Sequence, residues 1–235
     1  MKQMYAIQSN REIFIVVPAY NEAKVIKATI SPLITEGYSV VVVDDCSSDN
    51  TWEILEILPV TRIRHMVNLG QGAALQTGME YARRSGAAVV VHFDADGQHD
   101  WREIPNLTAP ILEGKADVVL GSRFLRPGDT QQVPLAKRFV LRIGRIISGL
   151  MTGILLSDTH NGFRALSRKA LAVVQLQENG FAHATEILSH LRKANLHYVE
   201  VPTSISYTTY SIAKGQPLTN SLNTVIDLLL RKIFP

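Results

Sequence analysis

Two acidic residues, Asp94 and Asp96, follow directly on the apolar run 87–93, with Gly97 and Gln98 next in line. If that run is a buried strand, both carboxylates stand at its carboxyl end, where open α/β sheets bind ligands. Their oxygens suit a hard divalent cation such as Mg²⁺ or Mn²⁺, which would in turn hold a diphosphate. A solvated Asp-Gly turn is the alternative. A calcium-binding EF-hand loop fails on spacing, because its sixth position would be His99 instead of Gly and its twelfth Pro105 instead of Glu.

Three further clusters stand at comparable places. Asp44, Asp45, Ser47, Ser48 and Asp49 come after the run 40–43. Asp45 is nearest the strand end and is the candidate ligand for a base or ribose, whereas Ser48, Asp49 and Asn50 suit the cap of a helix starting near Thr51. Pro18, Ala19, Tyr20, Asn21 and Glu22 follow the run 13–17. A dinucleotide-binding fold would carry a Gly-rich fingerprint there, so NAD is not expected. Asn68-Leu-Gly70-Gln71-Gly72 precedes a helical stretch, and its glycines permit either close approach of a ligand or a plain tight turn. His92, His99 and His160 show no zinc spacing, and His99 reads as a loop residue near the site.

These residues need a scaffold, and the apolar pattern supplies one. Runs at 13–17, 40–43, 63–66, 87–93 and 118–120 alternate with helical patterns at 22–36, 51–58, 71–85 and 101–113. Continuous apolar strands imply burial on both faces, as in a largely parallel sheet flanked by helices. The alternation points to a doubly wound α/β fold. With 235 residues, 46 % hydrophobic and 19 % charged, the chain supports one large core and is not disordered. The single cysteine, Cys46, excludes a disulfide framework and fits a reducing compartment. A net charge of +3 is too mild to argue for nucleic acid.

The second half is more basic and more amphipathic. Residues 134–156 read as a helix with Lys137, Arg138, Arg142 and Arg145, the three arginines sharing one face. That face is either solvated or turned to lipid headgroups. Helices are expected at 168–175 and 182–194, a strand at 198–205, and a last helix at 218–233 that docks on the core or on a membrane. No signal peptide is expected. The longest uncharged apolar-rich stretch, 146–157, falls short of the ~20 residues that cross a bilayer.

In this order and spacing, residues 17–22, 43–49, 68–74 and 93–98 resemble family-2 glycosyltransferases with the nucleotide-sugar-binding α/β fold called GT-A. Later residues 121–123, 158–164 and 210–214 are similar to dolichyl-phosphate mannose synthases and bacterial polyprenyl-phosphate sugar synthases. The resemblance spans about 13–212. It implies a catalytic domain over 1–216 and an amphipathic appendage over 217–235. It also implies inverting transfer of a hexose or N-acetylhexosamine from a UDP- or GDP-sugar to a polyprenyl phosphate, the runner-up acceptor being a carbohydrate hydroxyl.

The same resemblance assigns residues. Pro18, Ala19, Tyr20, Glu22, Asp45, Gly70, Asp94 and Ala95 would bind the donor, and Asp94, Asp96 and Gln98 the Mg or Mn ion. Arg123, Arg138, Asp158 and Arg164 would hold the acceptor, and Asp96, Arg123, Arg138, Lys214 and Glu186 would serve catalysis. Glu186 matches an acid of the family on the helix after the acceptor loop, with a metal, sugar or acceptor-loop role, or none beyond an exposed helix acid. Gln71 stands where many relatives have Lys. The implied setting is the cytoplasmic face of a membrane, reached by amphipathic surfaces or a small membrane-protein partner. A homo-oligomer is compatible with the sequence.

Overall fold

A computed structural model of the protein describes residues 10–125, 149, 153–159, 161–180 and 182–206. Seven strands form one sheet: β1 (Ile13–Ala19), β2 (Ser39–Asp44), β3 (Thr61–Arg64), β4 (Val89–His92), β5 (Val118–Ser122), β6 (Arg164–Ser167) and β7 (Tyr198–Pro202). Their order is β3-β2-β1-β4-β6-β5-β7. Every pair is parallel except those of β6, which runs antiparallel to both β4 and β5. The α/β fold with a largely parallel sheet is therefore as the sequence implies.

Helices α1 (Ile26–Thr35), α2 (Thr51–Glu56), α3 (Gln71–Arg84), α4 (Ile104–Leu112), α5 (Arg168–Val173) and α6 (His183–Lys193) connect and cover the strands. Alternate residues of one strand feed two cores. Ile15 and Val17 join Ile30, Leu33, Phe93, Ile104 and Leu107 on one face. Val16 joins Leu75, Met79, Val90, Leu166 and Ile187 on the other. Each such fully buried side chain contributes about 1.5–3 kcal/mol by leaving water. The two-sided core fixes the register, so the carboxyl ends of β1, β2, β4 and β5 share one edge and carry the sequence clusters there.

Several boundaries differ from the pattern-based ones. The helix expected from 22 begins at Ile26, because Glu22 C=O accepts the Val25 and Ile26 N–H groups in a preceding turn. The stretch expected as one helix from 101 opens as a 3₁₀ turn, Trp101–Glu103, capped by Asp100. Strand β3 lies two residues earlier than expected, and Met66 is almost wholly exposed. The helix expected over 134–156 does not include 153–156, since Gly153 at φ 70° takes a left-handed conformation that ends helices. Strand β7 stops at Pro202, and Ile205 instead forms an isolated bridge with His99. Gly149 is helical, but the rest of that helix, the helix expected over 218–233, the proposed division at 216/217, and Lys137, Arg138, Arg142, Arg145, His160 and Lys214 lie outside the described residues. Among the described residues, no helix is long and apolar enough to cross a membrane.

Candidate active site

The ends of β1 and β2 are stitched together by side chains. Asn21, at φ 55°, accepts the Ser48 N–H at 2.8 Å through Oδ1, and its own N–H donates to Ser47 Oγ at 2.9 Å. Glu22 N–H donates to Thr51 Oγ1, and Ala23 N–H to Asp49 Oδ2. Asp49 also accepts the Thr51 N–H, so it serves the start of α2 as expected. These bonds make one rigid shelf of two loops 26–29 residues apart in sequence.

Asp45 is buried at the end of β2 with both oxygens engaged. Oδ1 meets His65 Nδ1 at 2.7 Å and the Leu69 N–H at 2.9 Å, and Oδ2 accepts the Gly70 N–H at 2.7 Å. Asp45 thereby holds the entrance to α3. The glycines at 70 and 72 answer to a different neighbour. A Cβ on either would collide with the backbone carbonyls of Asn179 and Glu178. The close approach foreseen for a ligand at these glycines is made by the chain's own backbone.

Asp94 and Asp96 emerge from β4 onto the same edge. Asp94 Oδ1 accepts Gln71 Nε2–H at 2.9 Å, and its Oδ2 lies 3.0 Å from His99 Nε2. The His99 ring stacks on Phe163 at 4.7 Å and meets Phe93 edge-on at 5.5 Å. Glycine at 162 leaves room for this carboxylate, since a Cβ there would stand 2.7 Å from Asp94 Oδ2 and displace it. Even so, 28 % of the Asp94 side chain remains accessible, so the braced carboxylate faces open space. Among the described residues, Asp96 Oδ1 accepts only the Gln98 N–H, at 3.0 Å.

The two acids are held in opposite protonation tendencies. Burial pushes the Asp94 carboxyl up, but the His99 hydrogen bond and the charges of His99, His183 and Arg164 outweigh it, leaving Asp94 below its ordinary value. Burial, then the charge of Asp94, pushes Asp96 up to about 6, with Glu22 adding to the rise and Gln98 N–H and His99 opposing it. Deeper in, Arg164 is buried, donates to Asn161 and Thr159 carbonyls, and is pushed down to about 10 chiefly by burial. Its strand neighbour His92 is pushed down to about 3 by burial and by Arg164, so it is neutral.

On the β5 side the charges are already paired. Arg123 Nε and Nη2 grip Asp158 Oδ2 and Oδ1 at 2.6 and 2.7 Å, and the Arg123 N–H adds a third bond. Both side chains are buried. Glu186 stands apart from Asp94, its carboxylate accepting backbone N–H groups of Gln177 and Glu178. Of the residues assigned from sequence, Glu22, Asp94 and Asp96 come together electrostatically, and Asp45 reaches them through the start of α3. Pro18 and Ala19 end β1, Tyr20 is exposed beside them, and Ala95 is buried between the two acids. Gln98 uses its backbone in both directions, donating to Asp96 and accepting from Ser206. Sequence reasoning included Asn21, Asn161, Gly162 and His183 in its motifs without giving them roles, and read His99 as only a loop residue near the site. The alternation of small and polar types in 158–163 was the available signal. Among the described residues, no group of three or more His, Cys, Asp or Glu side chains is gathered that could by itself hold a metal ion.

Residues 14–174 match the family model for glycosyl transferase family 2, well over half of the chain. The chain belongs to that family. Within it, the chain is 33 % identical to a UDP-N-acetylglucosamine–dolichyl-phosphate N-acetylglucosaminyltransferase of Methanococcus voltae, over 96 % of this chain and 98 % of that one. It is 32 % identical to a dolichol-phosphate mannosyltransferase of Pyrococcus furiosus, over 93 % of this chain and 64 % of that one. Glucosyl-3-phosphoglycerate synthase from Mycobacterium tuberculosis, solved with Mn²⁺ and UDP-glucose, superposes with a TM-score of 0.66 at 22 % identity, covering 93 % of this chain and 77 % of that one. The family membership makes the protein a nucleotide-sugar glycosyltransferase, and the superposition gives it the corresponding fold.

Proposed function

We propose that the protein moves a hexose or N-acetylhexosamine from a UDP- or GDP-sugar to a polyprenyl phosphate, with inversion at the anomeric carbon. The observation that carries this reading is the open pair of acids at the end of β4. Asp94 is braced on two sides and held below its ordinary pKa, and Asp96 is pushed up by burial and then by its neighbour's charge. A divalent ion fits this donor set: two carboxylates give too few ligands alone, and a diphosphate with water would complete a hard-oxygen shell. Asp94 and Asp96 would hold Mg²⁺ or Mn²⁺, which when bound neutralises charge on the leaving nucleoside diphosphate.

The lipid acceptor is supported by the named activities of the two relatives and by the state of the other acids. A phosphate oxygen is ionised at neutral pH and attacks C1 directly. The new C1–O bond forms as the C1–O bond to the diphosphate breaks, and no general base is needed. A sugar hydroxyl would need such a base. Asp158 is closed on Arg123 and Glu186 on backbone amides, so neither is poised for it. We assign the donor to the shelf at Pro18, Ala19, Tyr20, Glu22, Asp45 and Gly70 and to Asp94 and Ala95. The acceptor falls to the β5 side, with Arg123, which Asp158 holds in place, Arg164 and, outside the described residues, Arg138 and Lys214. The protein would then work at the cytoplasmic surface of a membrane, where its acceptor lies.

Incubation with labelled nucleotide sugars, Mg²⁺ or Mn²⁺ and a prenyl phosphate tests the reading. Label partitioning into organic solvent, abolished by EDTA, is the expected result. Label appearing only in water-soluble glycan, or transfer indifferent to chelation, would overturn it.

A further inference from the structure

We propose that Glu186 is a positioning residue that holds the loop 177–180 against the start of α3 and thereby sets Gln71 on Asp94. The inference rests on the glycosyl-transfer reading only for its kinetic part. Glu186 lies in the first turn of α6, and its Oε2 accepts the N–H groups of both Gln177 and Glu178 at 3.0 Å, while Oε1 accepts Gln177 at 3.0 Å. Around it, the same loop is tied at three more points. Leu176 N–H donates to Gln76 Oε1 at 2.7 Å, His190 Nε2 meets Gln175 C=O at 2.9 Å, and His183 Nδ1 meets Gly180 C=O at 2.8 Å.

One further bond turns this anchored loop towards the site. Asn179 C=O accepts the Gly72 N–H at 2.8 Å. That N–H belongs to the first turn of α3, where helical donors have no partner within the helix. The glycines at 70 and 72 exist to let the loop come this close, since a side chain at either would strike it. Gln71, between them, donates Nε2–H to Asp94 Oδ1. The connection runs from Glu186 through two amides to Asn179, then to Gly72 and the neighbouring Gln71, and ends on the acid. Asp45 holds the same helix start from the opposite side through Leu69 and Gly70. Glu186 supports the loop through a carboxylate that accepts two backbone amides, and bonds of backbone amides to a carboxylate are the strong, charge-assisted kind.

This role differs from that of a catalytic base in what each replacement does. A glutamine can place its single oxygen where Oε2 stands and keep both amides, so the clamp survives in part. A base would be lost equally in Glu186→Gln and Glu186→Ala. Gly72→Ala attacks the same clamp from the other end without touching the acid.

The test is hydrogen–deuterium exchange on the full chain, with transfer kinetics on the same samples. In Glu186→Ala, amides over 68–76 and 175–180 should exchange about tenfold faster while those of β1 stay protected. Turnover should fall about 10- to 100-fold with an unchanged pH profile, Glu186→Gln should recover most of it, and Gly72→Ala should reproduce the loss. Adding Gly72→Ala to Glu186→Ala should cost no more than about threefold beyond the worse single variant, because both break one connection. Unchanged exchange at 68–76 in Glu186→Ala would overturn the proposal, as would losses that multiply, or equal losses in Gln and Ala variants with one limb of the pH profile gone. If Glu186→Ala does not fold, the Gln variant and Gly72→Ala decide by the same exchange readout. A wild type that transfers no sugar would defeat the functional reading and leave the exchange result to judge the clamp.

Discussion

The acids at the ends of β4 and β5 share one edge of the sheet, yet they are in opposite states. Asp158, beside β5, has both oxygens filled by a buried guanidinium. Beyond β4, Asp94 is partly open to solvent, and burial together with the charge of Asp94 pushes Asp96 up to about 6. A protein that needed only stability would give Asp96 a cationic partner, as it gives Asp158 one. Burial and the charge of Asp94 hold the Asp96 carboxyl above its ordinary range, a cost in folding free energy that a cation bound as proposed above would offset. The difference separates a structural acid from a functional one more sharply than residue type does.

The largest test of this contrast is Asp158→Ala. Removing the carboxylate breaks the buried ion pair and the three hydrogen bonds that Asp158 makes with Arg123, and we expect a loss of about 3–5 kcal/mol in urea denaturation. A variant of normal stability that had lost only transfer would place Asp158 among the functional acids and break the distinction. Next comes Asp96→Asn, which should cut transfer by about 100-fold or more, measured as released nucleoside diphosphate. Retained turnover with unchanged metal dependence would remove Asp96 from the chemistry.

His99→Phe sharpens the contrast within the β4 side. The phenyl ring keeps the packing on Phe93 and Phe163 but removes the hydrogen bond to Asp94. Mn²⁺ affinity should fall about tenfold by calorimetry, with the melting temperature preserved. An unchanged affinity would mean that Asp94 needs no bracing. The smallest effect concerns protons. Asp96 has its pKa raised in the folded state from 3.8 to about 6, so without metal the folded protein binds the extra proton. The wild type therefore gains stability as pH falls through about 6, and loses that gain relative to Asp96→Asn as pH rises. At pH 7.5 without metal, Asp96→Asn should melt higher than wild type, with the gap closing by about pH 4. A lower melting point for the variant at pH 7.5 would contradict the repulsion between the two acids.

The apolar strands made the scaffold legible. Runs such as Val40–Val43 are buried on both faces, and their carboxyl ends mark Asp45 and Asp94 in the sequence alone. Strand β6 was illegible because its four residues, Arg-Ala-Leu-Ser, show neither a continuous run nor a clean alternation. Its Arg164 is buried only because two neighbouring strands and the loop before it surround it. The Asp94–Asp96 pair was readable from spacing. The pairing of Arg123 with Asp158 was not, since 35 residues separate them and nothing local ties one to the other. Glu186 was readable as an acid on a helix, but its attachment to a loop is a property of three-dimensional packing. Gln71 could be seen as a departure from the family, yet only the geometry shows what it touches.

The antiparallel strand β6 has a consequence for how the molecule is made. It sits between β4 and β5, although the chain reaches it about 40 residues after β5 is complete. As the polypeptide leaves the ribosome, β4 and β5 each wait with an open hydrogen-bonding edge, and neither can close the gap by joining the other. Such edges invite pairing with other chains until the missing strand arrives. The middle of the sheet is thus sealed last, over long sequence separations that slow folding. Arg164 and Gly162 reach Asp94 in that same late step, so a nascent chain carries the acidic pair without its finished surroundings, and the enzyme becomes competent only once its centre has closed.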